Sequence, residues 1–163
     1  MPLGPWPRSP CAFALGTTEF VIVGLISTIA SSLGISVPAA GLLFSLYALG
    51  VAIGAPVLTA LTGRVPRKHL LTGLMALFTI GNLVAWLAPS YEALVAARVL
   101  TGLAHGVFFS VGTTIATSLV PREKAASAIA LMFSGLTVAL VTGVPLGTFI
   151  GQNFGWQSTF LAV

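Results

Sequence analysis

Long stretches of this chain without a single charge are separated by short stretches rich in Gly, Pro and polar residues. Residues 39–61 carry no charge, and neither do residues 70–88. At about 1.5 Å of rise per residue, each run crosses a hydrocarbon core of about 30 Å as a helix. Helix breakers stand between the runs: Gly34 and then Ser36-Val37-Pro38, Gly63 and Pro66, Pro89-Ser90, Pro121, and the polar turn Gln152-Asn153-Phe154-Gly155. The pattern predicts spans over about 11–32, 39–61, 70–88, 91–119 and 125–150, with a sixth that begins at Trp156 and is incomplete at Val163. Four prolines among residues 1–10 predict a tail outside regular helix.

Composition turns this pattern into a class. The chain is 56% apolar and 6% charged, with a mean hydropathy of +1.05. Soluble chains average about 25% charged residues, so the expected fold is an all-α multi-pass membrane protein. The net charge of +4 lies in short turns, not on a continuous face, and no nucleic-acid partner is expected. Arg8, Arg64, Arg67, Lys68, Arg122 and Lys124 fall at one end of the spans, and the turns at the other end hold only Glu92. Six of seven basic residues on one side place that side, and the N-terminus, in the cytoplasm. Trp86, Tyr91 and Trp156 lie near the opposite boundary, as in an aromatic belt.

Several chemistries are excluded. A single cysteine, Cys11, leaves no internal disulfide and no cysteine-based zinc site, and reads as a small apolar residue in a membrane helix. There is no nucleophile elbow, no phosphate-binding loop and no cluster of metal ligands. With no Asp and three Glu, a paired-carboxylate site has nothing to be built from. Neither an enzyme nor a nucleotide-driven pump is expected, and no cofactor or metal. The run after Arg8 is interrupted by Thr17-Thr18-Glu19 and lacks a small-residue cleavage site, so a cleavable leader is not expected.

The small residues are patterned as well. Gly50 and Gly54 are four apart, as are Gly102 and Gly106, and Gly143, Gly147 and Gly151 repeat that spacing twice. Such spacing lines one helix face with small residues and lets two backbones approach. Pro145 within the third set removes a backbone donor and should bend its helix.

Three segments together resemble the major facilitator superfamily. "TALTGRVPRK" at 59–68 is similar to its loop Gly-x-Leu-x-Asp-Arg-x-Gly-Arg-Arg/Lys, with Leu61, Arg64, Arg67 and Lys68 in register. Thr59 and Pro66 stand where glycines are usual, and Gly63 stands where the Asp is usual. "RVLTGLAHG" at 98–106 resembles the fourth-helix Arg motif. Gly135 with Gly143-Val144-Pro145-Leu146-Gly147 resembles the antiporter motif of the fifth helix. "TTEF" at 17–20 looks like the acidic first-helix segment of the drug:proton antiporter branch, notably its arabinose-efflux-like and purine-nucleoside-efflux-like members. The resemblance implies the N-terminal half of a twelve-helix fold built from inverted three-helix repeats, in a bacterial inner membrane. It also implies a gating role for Arg64, Arg67 and Lys68, and export through the motif at Gly135, Gly143, Pro145 and Gly147.

Glu19, Arg98 and His105 are the ionisable residues placed inside the membrane. A charge at the centre of a membrane helix costs roughly 2.5–3.5 kcal/mol, so each needs a reason. By helical rise, Glu19 and Arg98 differ in height by only about 8 Å, near enough for long side chains to pair. Proton affinity of a carboxyl rises as it loses solvent and falls beside an arginine. By the resemblance, Glu19 carries a proton and Arg98 tunes it; the other reading is a structural ion pair joining two helices. His105, on nearly the same face as Arg98, either relays a proton or bonds a substrate, or is simply bonded to a neighbouring helix. Thr18 and Thr101 are further candidates for the substrate cavity. Asn82 reads as interhelical glue, and Phe108 and Phe109 as packing or lipid-facing residues.

The expected function is proton-coupled efflux of a drug, sugar or nucleoside by alternating access. The expected partners are a small-molecule substrate, protons, the lipid bilayer, and a missing C-terminal half or second copy. A truncated non-transporting remnant, or a membrane subunit needing a second half, is the alternative. An uptake symporter is a third reading, disfavoured by the Gly/Pro pattern at 143–147.

Overall fold

The computed structural model describes residues 8–163, and among these there is no strand. Five helices are long and apolar enough to cross a membrane. Helix α1 spans Arg8–Leu33, so the expected non-helical tail is corrected at residues 8–10; its first seven residues lie outside the described residues. Pro10 is tolerated because N–H groups in the first turn of a helix have no intrahelical acceptor to lose. Gly34, at φ 63°, ends α1 in the left-handed region that suits glycine.

Helix α2 runs Val37–Leu61, started by Ser36, whose hydroxyl accepts from the Ala39 N–H. Helix α3 spans Arg67–Leu87, and α4 spans Tyr91–Ser118 behind a second serine cap at Ser90. Helix α5 runs Arg122–Phe154, and α6 covers Trp156–Ala162. The expected polar turn at 152–155 contracts to Gly155 alone, at φ 87°. Gln152 to Phe154 continue the helix, where the Asn153 side-chain amide donates to the Phe149 carbonyl.

Prolines inside α2 and α5 are absorbed in one way. Gly54–Leu58, around Pro56, and Ala139–Gly143, just before Pro145, each form a π turn. In the second, the Val144 N–H donates to the carbonyl of Ala139, five residues back. The wider turn accommodates the donor that Pro145 lacks.

Helix α4 is the hub. Of its most apolar stretch 61% is buried, against 22% in α2 and in α5, and it packs on α2, α3 and α5. The glycine pairs make the closest approaches. A Cβ on Gly50 would stand 2.8 Å from the Val99 carbonyl oxygen, and one on Gly54 2.7 Å from that of Leu103. From the other side, Gly102 and Gly106 face the carbonyls of Tyr47 and Val51. The device recurs between α1 and α5, where Gly147 and Gly151 face the side chains of Val21 and Leu25, and Gly16 faces Leu136. Inside lipid, helices associate through such packing because water is not there to drive them together.

Two apolar clusters fill the interior. One gathers Val21, Leu25, Ile29, Leu43, Ala97 and Phe160. The other gathers Leu15, Leu74, Phe78, Ala104, Val107 and Phe108, with Cys11 packed against it. Large apolar side chains such as Leu42, Leu83, Val141 and Phe149 point outward. Trp156 departs from the expected belt: it is 1% exposed, its ring meets Phe160, and its indole N–H donates to Ser32 at 3.1 Å. Its polar edge finds that partner within the protein, leaving the ring free to fill the core. Tyr91 likewise ties α4 to α2 by donating to the Ala39 carbonyl at 2.8 Å.

Candidate functional site

A polar layer lies between the two apolar clusters. It arises because α1 turns from Leu15 to Val21 through Thr17, Thr18 and Glu19, while α4 passes from Ala97 to Ala104 through Arg98 and Thr101. Thr18 is fully buried, Arg98 is 1% exposed, and His105 is 6% exposed.

Arg98 does not pair with the Glu19 carboxylate, which corrects the expected ion pair. Its guanidinium donates to backbone carbonyls instead: Nη1 to Thr18 at 2.7 Å, Nη2 to Glu19 at 3.2 Å, and Nε to Leu43 at 3.5 Å. The Glu19 carboxylate lies 3.8 Å from His105 Nδ1. Helix geometry explains the split. Carbonyls point toward a helix C-terminus and side chains lean toward its N-terminus, so the two ends of one residue diverge. The carbonyls of α1 reach toward Arg98, and the Glu19 side chain leans the other way, toward His105 two turns further along α4.

Tyr47 of α2 completes the layer, and sequence reasoning missed it. Its side chain is fully buried. The hydroxyl lies 2.8 Å from His105 Nδ1, and Arg98 Cζ sits 4.1 Å from the ring centroid. The ring therefore takes the cation on its face while the hydroxyl takes the imidazole. A signal was available: Tyr47 is the single tyrosine within an uncharged run, at mid-span and away from the boundaries where tyrosines concentrate.

The other candidates divide. Thr18 donates to Asn82 Oδ1 at 3.2 Å, which makes Asn82 a link from α3 to α1 and brings both beside Arg98. Thr101 turns to α3 instead: a Cβ on Gly81 would lie 2.5 Å from its methyl, and its hydroxyl donates within α4 to the Ala97 carbonyl at 2.8 Å. Phe108 is buried in the core, whereas Phe109 stacks 4.8 Å from the His105 ring and 4.9 Å from Phe133 of α5. Arg64, Arg67 and Lys68 stand exposed at the α2–α3 turn, far along the helices from Glu19. Behind that turn is a cavity of about 110 Å³ lined by Thr59, Thr62, Arg67 and Thr114. Gly135, Gly143 and Gly147 are buried along α5, and Pro145 faces outward.

A buried cation, a carboxylate and an imidazole in one layer can hold, release and relocate a proton, and their hydrogen-bonding capacity suits a polar solute. No group of three or more metal-ligating side chains is gathered among the described residues.

Comparison with known proteins adds lineage. The Major Facilitator Superfamily profile matches residues 9–163. The chain is 57% identical over 152 residues to the uncharacterised MFS-type transporter YtbD of Bacillus subtilis (strain 168), covering 93% of this chain and 38% of that protein. It is 49% identical over 151 residues to the inner membrane transport protein YdhP of Escherichia coli (strain K12), covering 93% and 39%. Against a chloramphenicol resistance protein of Streptomyces lividans it is 42% identical over 163 residues, covering 100% and 42%. The chain thus spans about two fifths of the length of these relatives. Its five apolar helices, their order and this match mean that the chain belongs to the Major Facilitator Superfamily, as a multi-pass all-α membrane protein forming the N-terminal part of that fold.

Proposed function

We propose that this chain is part of a proton-coupled exporter of small molecules that works by alternating access. Glu19 carries the proton, and Arg98 and His105 set its affinity. The observation that carries the reading is Arg98: a buried cation in a membrane-spanning helix, held by backbone carbonyls with no carboxylate within 4 Å among the described residues. Structure alone gives little reason to keep such a charge there, since an apolar residue avoids its desolvation. A coupling role gives one. When α1 shifts against α4, Glu19 changes its distance from Arg98 and His105, and its proton affinity changes with it.

Export, as against uptake, is supported by the Gly/Pro motif at Gly135, Gly143, Pro145 and Gly147, and by the name of the Streptomyces relative. Glu19, which keeps part of its side chain exposed, lies on one wall of the substrate cavity, and the buried Thr18 and Thr101 buttress that wall from within the bundle. A second half, or a second copy, supplies the opposite wall. Arg64, Arg67 and Lys68 gate the cytoplasmic face of a bacterial inner membrane, the face that also holds the N-terminus.

The test is collapse of an imposed pH gradient across vesicles, followed with a pH-sensitive dye, on addition of a drug, a sugar or a nucleoside. One class should dissipate the gradient. Glu19→Gln should abolish that response and keep substrate exchange without a gradient. Full coupled export by Glu19→Gln would exclude Glu19 as the carrier.

A further inference from the structure

One imidazole nitrogen in the polar layer has two claimants. His105 Nδ1 lies 2.8 Å from the Tyr47 hydroxyl and 3.8 Å from the Glu19 carboxylate. A ring nitrogen carries one lone pair or one hydrogen, so it serves one strong partner at a time. The nearer is Tyr47. Among the described residues, that hydroxyl has no other hydrogen-bond partner, and the side chain is fully buried. If Nδ1 carried the hydrogen and donated to the Tyr47 oxygen, the tyrosine's own hydrogen would be buried with no acceptor, a loss that folded proteins avoid. The arrangement that keeps the Tyr47 hydrogen paired has Tyr47 donating to an unprotonated Nδ1.

We infer that Tyr47 is a positioning residue that occupies His105 Nδ1 and thereby withholds it from the Glu19 carboxyl, and that breaking the Tyr47–His105 bond opens a proton path from Glu19 to His105. The inference rests on the reading of Glu19 as proton carrier. In the step, the O–H bond of protonated Glu19 breaks and an N–H bond forms at Nδ1. Glu19 is left as carboxylate and His105 becomes imidazolium, with no change in electron count. The Tyr47 hydroxyl loses its acceptor, and its oxygen can then accept from the new N–H.

The surroundings suit such a lock. Glu19 faces His105 from α1 and Tyr47 from α2, while Arg98 on α4 itself stands across the tyrosine ring. From α5, Phe133 reaches His105 by way of Phe109. The ionisable residues of α3 and of α5 sit at their exposed first turns, far along the helices. The lock also sits within the glycine contact of α2 and α4, beside Gly102 against the Tyr47 carbonyl, so a small slide of α2 along α4 separates the hydroxyl from the ring.

The chain contains two histidines, and the other, His69, is exposed. Imidazole ¹⁵N spectra of the full chain in lipid nanodiscs therefore report His105 with His69 as an internal reference. The wild type should show His105 unprotonated at Nδ1 and protonated at Nε2. Tyr47→Phe removes one oxygen and keeps the ring on which Arg98 stacks. It should move the tautomer ratio toward Nδ1–H by about tenfold, the worth of one buried hydrogen bond. Glu19→Gln, with Tyr47 in place, should leave the tautomer as in the wild type, so the idea stays testable if Tyr47→Phe does not fold. A wild-type His105 protonated at Nδ1, a Tyr47→Phe spectrum unchanged from wild type, or a tautomer that follows Glu19→Gln would each overturn the lock. These spectra need no transport, so uncoupled export alongside the expected spectra would remove the carrier reading and leave the Tyr47–His105 lock standing.

Discussion

Arg98 is held by geometry that only its own side chain supplies. Its planar fork reaches the Thr18 and Glu19 carbonyls together, Nε reaches Leu43, and its flat face lies on Tyr47. Lysine keeps the charge but not the fork or the flat face. Arg98→Lys should therefore lower unfolding stability in detergent by about 2 kcal/mol, since hydrogen bonds to charged groups are worth roughly 1.5–3 kcal/mol. A double-mutant cycle with Tyr47→Leu should give a coupling near 1–2 kcal/mol, the range of a desolvated cation–π pair. A coupling of zero would make the stacking incidental. The sequence showed which polar residues lie at one depth, because helical rise converts position into height. Glu19 and Arg98 were legible for that reason, and His105 because seven residues bring a helix back to nearly the same face. It did not show that Arg98 meets backbone where a carboxylate was expected, because carbonyl direction leaves no mark on residue identity. Tyr47 was lost among apolar neighbours, since a buried tyrosine reads as packing until its hydroxyl has a partner.

At the scale of the element, two helix pairs share one construction. Helices α2 and α5 each carry a π turn at a proline, and each lies glycine to backbone or side chain against α4 or α1. The spacing of Gly50, Gly54, Gly102 and Gly106 announced a close contact, although which helices met through it was not legible. Span boundaries were legible to within a few residues where Gly34, Ser36, Pro66 or Ser90 ended or began a helix. They were missed at Gln152-Asn153-Phe154, where polar residues continue a helix by bonding to it. The glycine contacts separate two kinds of position. A valine at Gly102 would drive its side chain into the Tyr47 carbonyl, whereas nothing lies within 4 Å of a Cβ on Gly73. Gly102→Val should cost at least about 1–3 kcal/mol, the usual penalty of overpacking, and should displace Tyr47 from His105. Gly73→Val should leave stability within about 0.5 kcal/mol. Equal losses in the two variants, read by denaturant titration in micelles, would mean that α2 and α4 are not held by this contact.

For the whole molecule, the orientation proposed above rests on the asymmetry of charge, and how that asymmetry is distributed would decide how robust the orientation is. Arg64, Arg67 and Lys68 share one turn, but Arg8, Arg122 and Lys124 lie at the same end in sequence, and Glu92 stands alone among the opposite turns. Short basic loops resist translocation, and each cation adds to the bias. If the bias is collective, replacing Arg64, Arg67 and Lys68 by Gln leaves three cations against none, and the orientation should hold. Replacing all six removes the bias, and a mixed population should appear. The readout is labelling with a membrane-impermeant thiol reagent, applied to spheroplasts and to inverted vesicles, after Cys11→Ser and with single cysteines at Val65 or Ser90. Val65 should label only from the cytoplasmic side and Ser90 only from the other, in the parent and in the triple variant alike. Inversion by the triple variant would show that the α2–α3 turn alone sets the topology. Retention of one orientation by the six-fold variant would show that the apolar spans carry the direction themselves, and the cytoplasmic placement of the Arg64 turn and of the N-terminus would then lose its basis.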